Sequence, residues 1–289
     1  MLSAETLSAG PTPVTRGLET AAVVSWRFGR AGEGGLPPLD QAGAWLTPGE
    51  RRRAVAFRVP KRRDDWLTGR LNLKALVGDA LEARFGERPH PASLLVDRLP
   101  SGAPLVRQIA AGALEDAASG TDPGPLPLSV SNSHSHGAAL AAVLWVDAFE
   151  GAGWRAAAGA DLEWVEPRSE AFVRDFLTDP ERRYCAAGGD EGHLRANLVW
   201  SAKEAVLKVL QRGLSADTWW LTCLPVDARG SPGPPLPAIR VIARPGEERW
   251  RGFAVSCDDR LGAAGVEFGG VWRAIDGYVA TIAVGIRRS

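Results

Sequence analysis

Three acidic side chains in two short segments carry the most chemistry in this chain. Gly159-Ala160-Asp161-Leu162-Glu163 follows a run of small residues and predicts a strand. Side chains alternate along a strand, so Asp161 and Glu163 share one face while Ala160 and Leu162 face the core. Two carboxylates side by side repel; unless both are well solvated, they need a cation between them or one takes up a proton. Trp200-Ser201-Ala202-Lys203-Glu204-Ala205-Val206-Leu207-Lys208 is rich in Ala, Leu, Lys and Glu and predicts a strong helix. Glu204 and Lys208 then share a face one turn apart, with Lys203 beside Glu204. Together Asp161, Glu163 and Glu204 offer hard oxygen donors suited to Mg2+, a cation that keeps several waters and binds substrate phosphates. No soft-ligand cluster offers a competing metal site. Taken singly, each segment also has a plain reading. An i, i+4 Glu–Lys pair contributes only about 0.2–0.5 kcal/mol on a solvated helix, and Asp-x-Glu can be polar decoration on an edge strand.

The elements that must position these groups are legible because the chain repeats itself. Residues 46–53 read LTPGERRR and residues 177–184 read LTDPERRY. Each is followed by a helical segment with anchors spaced i, i+4, i+8: Trp66, Arg70 and Lys74 in the first half, Trp200, Glu204 and Lys208 in the second. Two matches in register predict a duplicated unit of about 130 residues. The alternative is two unrelated amphipathic helices, each after a Pro-containing turn. The expected fold class is α+β: two similar lobes related by pseudo-twofold symmetry, each with an antiparallel sheet packed against helices. The expected division is a loose tail over 1–20, a first lobe over 21–150 and a second over 155–289. The groove between lobes is the natural ligand site, since sites favour domain interfaces. Stretches 101–127 and 229–237, rich in Gly, Pro and Ser, are expected to be surface excursions.

Composition narrows the function classes. Lys+Arg and Asp+Glu are both 34, so the net charge is zero and gives no support to a general nucleic-acid binder. Cys185, Cys223 and Cys257 lie far apart without a Cys-x-x-Cys, which predicts three free thiols in a reducing compartment. The first residues carry neither a basic n-region nor an apolar h-region. The longest apolar run, Ala138 to Val146, is far short of the ~20 residues a membrane helix needs. The expectation is a cytoplasmic protein.

GADLE paired with WSAKEAVLK resembles the signature of the 4′-phosphopantetheinyl transferase superfamily, of the larger two-lobed type, with Ala160 where that pattern usually has Ile. The resemblance implies that Asp161, Glu163 and Glu204 bind magnesium, and that Lys208, with Lys203 beside it, is the charge partner of the reacting phosphate. It makes Glu204 the first candidate for general base, directly or through water. Ser133, His134 and Gly137, in SVSNSHSHG, match the family's Ser-His motif and imply contacts to coenzyme A, His134 near its 3′-phosphate. Arg63 and Arg70, with Lys61 as a weaker choice, are implied phosphate contacts on the first-lobe helix. Ser101-Gly102-Ala103-Pro104 resembles the family's Gly-x-Pro turn. The implied partner is an apo acyl or peptidyl carrier protein, with Arg174, Arg182 and Arg183 as candidate rim contacts. The duplication favours a monomer.

Overall fold

The computed structural model of the chain describes residues 22–109, 124–213, 216–226, 239–241 and 250–289. The tail over 1–20, the middle of the 101–127 excursion and the 229–237 excursion lie outside the described residues. The first half runs β1 (Ala22–Arg30), α1 (Pro48–Ala56), α2 (Pro60–Phe85), a hairpin of β2 (Leu94–Arg98) and β3 (Pro104–Gln108), then β4 (Leu128–Ser135) and β5 (Ala138–Trp145). A short helix, α3 (Asp147–Gly151), leads into β6 (Trp154–Trp164), α4 (Glu170–Phe176), α5 (Asp179–Cys185) and α6 (Gly189–Val209). The chain continues through β7 (Leu221–Pro225), β8 (Ile239–Val241), β9 (Arg251–Cys257), β10 (Glu267–Ile275) and β11 (Tyr278–Arg288).

The α+β class is the observed one. One sheet has the order β4-β5-β1-β8, a second β6-β11-β10-β9-β7, and β2-β3 stand as a separate hairpin. All pairs are antiparallel except β1 with β8. The strand β8 comes from the second half of the chain yet extends the first sheet, so the halves are interlocked rather than cut cleanly near residue 150.

The strand β5, AALAAVLW, is apolar without alternation because both its faces are covered. Leu140, Ala142 and Leu144 join Ala160, Leu162, Ala280, Ile282 and Val284 of the second sheet in one core. Ala141 and Val143 on the opposite face join Leu73, Leu76 and Val77 of α2. On the second sheet, Val279 and Ala283 meet Leu198, Ala202, Ala205 and Val206 of α6. The two sheets therefore pack against each other, each with one long helix on its outer face.

The same local features recur in both halves, in a register that differs from the sequence reading. Thr47 and Glu50 cap α1, and Thr178 and Glu181 cap α5, each Glu side chain accepting from the backbone N–H of its Thr. Each capping Glu also accepts from a buried lysine of the following long helix: Lys74 Nζ to Glu50 at 2.5 Å, and Lys203 Nζ to Glu181 at 2.7 Å. Both lysines donate in addition to a carbonyl five residues before that Glu, Trp45 O and Phe176 O, at 2.9 Å each. Lys74 is thus the counterpart of Lys203, not of Lys208. A helical i, i+4 pattern looks alike when slid by about a turn; the capping glutamate is what fixes the alignment.

The hairpin turns repeat as well. His136-Gly137 and Asp276-Gly277 all have positive φ (47°, 78°, 49° and 82°), and each pair sits in a two-residue hairpin turn. That turn type needs left-handed backbone at both central positions and favours Gly at the second.

Candidate active site

Where the lobes meet, β4 runs along the free edge of β6. Ser129, Ser131 and Ser135 hydroxyls accept from the backbone N–H groups of Ala158, Ala160 and Trp164, at 2.9, 2.9 and 3.3 Å. Alternation along a strand places these serines on one face, so side chains satisfy an edge that no strand pairs. Ser133, in the same row, breaks the ladder. Its hydroxyl donates instead to Asp161 Oδ1 at 2.9 Å.

Asp161 is 3% exposed and gathers groups from three elements. Lys208 Nζ, from α6, donates to Asp161 Oδ1 at 2.7 Å and to Ala160 O at 2.9 Å. Ser201 Oγ, also from α6, donates to Asp161 Oδ2 at 2.8 Å and lies 2.8 Å from Thr281 Oγ1 of β11. The helix approaches β6 this closely because position 159 is Gly: a Cβ there would lie 1.9 Å from Ala205 O.

Glu163 and Glu204 lie close enough to Asp161 to feel its charge. Burial, then Asp161, push the Glu163 carboxyl up to about 7, with Arg168 opposing. Burial, then Asp161, also push Glu204 up, with Lys208 opposing. Glu204 makes no hydrogen bond or ion pair to another described residue. The set supplies oxygen donors only, and two members are raised by burial and then by the neighbouring Asp161 charge, which a hard divalent cation would offset; in chemistry it fits Mg2+. Among the described residues no three His, Cys, Asp or Glu side chains are gathered as a ready metal cage. Lys208 holds Asp161, and Arg168 holds Glu163 at 2.8 Å.

Beside this cluster a cavity of about 510 Å3 opens between the lobes. It is lined by Trp66 and Arg70 of α2, the 96–105 hairpin, Leu128 to His134 of β4, Ala156 to Ala158 of β6, and Lys208 and Gln211 at the end of α6. The three carboxylates are not part of the lining; Ser133 and Lys208 connect them to it. Ser101-Gly102-Ala103-Pro104 forms the hairpin tip, with Gly102 at φ 86°. Ser101 Oγ donates to Gln211 Oε1 across the lobes at 2.8 Å.

His134 lines the cavity against Gly69 of α2, where an added Cβ would stand 3.2 Å from the His134 ring. Burial lowers its pKa, which favours the neutral imidazole; Asp65 pulls the other way. Arg70 is 8% exposed, donates to Val96 O at 2.9 Å, and lies 3.4 Å from Glu50. Arg53 and Arg70 stack on the Trp66 ring at 5.5 and 5.2 Å. Burial lowers the Arg70 and Arg98 pKa values, and Arg53 adds to both shifts. Sequence reasoning misses Arg53 and Arg98; the Arg51-Arg52-Arg53 run after the helix cap and the Arg just before the Ser-Gly-x-Pro turn are the available signals.

Two of the implied contacts lie away from this cavity. Lys203 is fully buried, its ammonium is spent on Glu181, Phe176 O and Thr218 O, and it does not line the cavity. Arg63 pairs with Asp64 and lines a different cavity, with Leu39, Arg51 and Leu67. Lys61 lies nearer the His134 side: it pairs with Asp65 at 3.0 Å, and Asp65 accepts from Gly137 N at the β4–β5 turn. The three cysteines are free, and burial pushes the Cys185 thiol up to about 12.

Residues 157–235 match the family model described as ACPS, the 4′-phosphopantetheinyl transferase superfamily. The resemblance is borne out over residues 157–235. That stretch contains Asp161, Glu163, Glu204 and Lys208. No curated protein matches the chain. Among solved structures, an apo-ACPS from Chronobacterium ammoniagenes overlaps with a TM-score of 0.35 at 14% identity, covering 47% of this chain and 99% of that one. An ACPS–CoA complex from the same organism gives 0.33 at 15%, covering 46% and 98%. Overlaps this low do not by themselves establish kinship.

Proposed function

We propose that the protein is a 4′-phosphopantetheinyl transferase that moves the phosphopantetheine arm of coenzyme A to a serine of an apo acyl or peptidyl carrier protein. The observation that carries this reading is the junction of an interlobe cavity, rimmed by basic groups, with a crowded carboxylate cluster through Ser133 and Lys208. The cavity is within the size range of small-ligand sites, about 300–1,000 Å3. Arg70 and Arg98, with Arg53 behind Trp66, supply cations for coenzyme phosphates, and His134 supplies a hydrogen-bonding ring.

The serine oxygen of the carrier attacks the phosphorus that bears pantetheine; the bond from that phosphorus to the bridging oxygen breaks, and 3′,5′-ADP leaves. Serine is a weak nucleophile at neutral pH, so its proton must pass to a base. Glu204 suits that role: it makes no hydrogen bond or ion pair to another described residue, and burial beside Asp161 raises its proton affinity. Lys208, held on Asp161 and Ala160 O, offsets charge on the phosphoryl oxygens. Magnesium held by Asp161, Glu163 and Glu204 would supply Lewis-acid neutralisation of the diphosphate. Arg174 and Arg183, exposed on α4 and α5, and Arg182, which stacks over the Trp219 ring, offer a basic and aromatic rim for an acidic carrier. In this reading the protein works as a cytoplasmic monomer. No described helix is long and apolar enough to cross a membrane.

Incubation with Mg2+, coenzyme A and an apo carrier protein tests the reading. The carrier should gain the mass of one phosphopantetheine. Coenzyme cleavage without carrier modification would indicate a hydrolase, and no change in either would indicate a non-catalytic coenzyme-binding protein.

A further inference from the structure

Arg168 is delivered to the carboxylate cluster by a short, constrained stretch of chain. Pro167 fixes the backbone just before it, and Ser169 just after it caps α4 by accepting from Phe172 N at 3.1 Å. Its guanidinium donates through Nη2 to Glu163 Oε2 at 2.8 Å and through Nε to Asn197 Oδ1 at 2.7 Å, and lies 3.3 Å from Glu166. It also stacks over the Phe172 ring at 4.9 Å. Asn197 is fully buried on α6 and oriented by its own bonds to Glu166 O and His193 O. The arginine therefore ties β6, α6 and α4 together through Glu163, Asn197 and Phe172.

Of the three carboxylates, Asp161 is matched by Lys208, Glu163 by Arg168, and Glu204 by neither in a hydrogen bond. Lys208 reaches Asp161 from inside the same helix that bears Glu204, whereas Arg168 comes from the segment outside the repeat's core. A divalent ion taking Glu163 would compete with the guanidinium for the same oxygens and repel it.

We propose that Arg168 is an internal counter-cation for Glu163, one that a divalent ion must displace, so that it sets ion affinity and ties the 166–172 segment to the ion's absence or presence. This rests on the magnesium reading above. It assigns Arg168 a positioning role, since the residue acts through Glu163 and Asn197.

The test uses Mn2+ alone, without coenzyme, with free ion measured by electron paramagnetic resonance. Wild type, Arg168→Gln, Arg168→Lys and Glu163→Gln are compared after unfolding curves establish that each is folded. Arg168→Gln should bind Mn2+ roughly tenfold more tightly, the scale of losing one competing charge-assisted hydrogen bond. Arg168→Lys should fall between it and wild type, and Glu163→Gln should bind more weakly than wild type. In wild type, Mn2+ should also speed backbone hydrogen exchange across 166–172, a readout that needs no variant. Equal or weaker binding by Arg168→Gln would overturn the proposal while leaving the ion site standing. Unchanged exchange in wild type at saturating Mn2+ would remove the link to the segment. Absence of Mn2+ binding by all four proteins would overturn both this proposal and the magnesium reading.

Discussion

The two halves of the molecule use one scaffold with opposite charge. Aligned on the paired hairpin registers, Arg27 and Gly29 of β1 occupy the positions of Asp161 and Glu163 on β6. Aligned on the buried lysines, Ala75 and Asp79 of α2 stand where Glu204 and Lys208 stand on α6. The Asp161–Lys208 pair of the second lobe is thus reversed in the first, as Arg27–Asp79 at 3.5 Å. Shared parts are structural: the capping Glu, the buried Lys, and a polar side chain (Asn72 or Ser201) reaching the neighbouring strands. What differs is chemical. The second lobe gathers Asp161, Glu163 and Glu204, and the first contributes cations and cavity wall. The recurring frame is alike where it holds the fold and differs where it borders the proposed site.

Glu204→Gln gives the hardest test of that contrast, because its first-lobe counterpart, Ala75, has no titratable group. Transfer should fall by about 10^2–10^4, the span of a lost general base, with the far-ultraviolet spectrum and unfolding midpoint unchanged. Carrier-mass turnover at the wild-type rate would remove Glu204 from the reaction.

The equivalent buried pairs should break alike. Lys74→Met and Lys203→Met each strand a buried Glu, at a cost of about 3–5 kcal/mol in denaturant unfolding. Pairing each with Glu50→Met or Glu181→Met should recover much of that loss. The stable Glu181→Met/Lys203→Met protein should then bind coenzyme A as wild type does. A large loss of coenzyme affinity in that folded double variant would restore Lys203 to the site.

What can be read from the residues divides along the same line. The carboxylates, the α+β class and the repeat are visible because strand alternation and helix capping are local rules. Asp161 and Glu163 share a face for the same reason that Ser129, Ser131, Ser133 and Ser135 do. The helix register misleads because Trp66-Arg70-Lys74 and Trp200-Glu204-Lys208 share a spacing without sharing contacts. Lys203 misleads because proximity to Glu204 in sequence says nothing about the far side of the helix, where Glu181 lies. Arg168 and β8 are invisible for a third reason: an ion pair across elements and a strand borrowed from the other half are set by tertiary packing.

A smaller effect should appear in pH. The Glu163 carboxyl is raised from its ordinary 4.5 to about 7 in the folded state, so folding favours the protonated form. The stability this gives is present below about pH 4.5 and is lost as pH rises through about 7. Without divalent ion, wild type should therefore unfold at a lower temperature at pH 8 than at pH 5.5, and Glu163→Gln should flatten that slope. A slope unaltered in Glu163→Gln would place the titration elsewhere. The first lobe has Gly29 at this position and contributes nothing comparable.

The reversed ion pair yields the smallest expected change and the sharpest contrast in role. Asp79 has a side chain 35% exposed and a second cation, Arg88, whereas Asp161 is 5% exposed at its side chain and is bound by Lys208, Ser133 and Ser201. Solvent already screens the first pair, so Asp79→Asn should cost less than about 1 kcal/mol and leave transfer intact. Asp161→Asn keeps the shape of the second site but withdraws a charge from Lys208 and from any bound cation, and should abolish transfer. If Asp79→Asn impaired transfer as severely as Asp161→Asn, the first-lobe pair would belong to the reaction, and the division of labour between the lobes would fail.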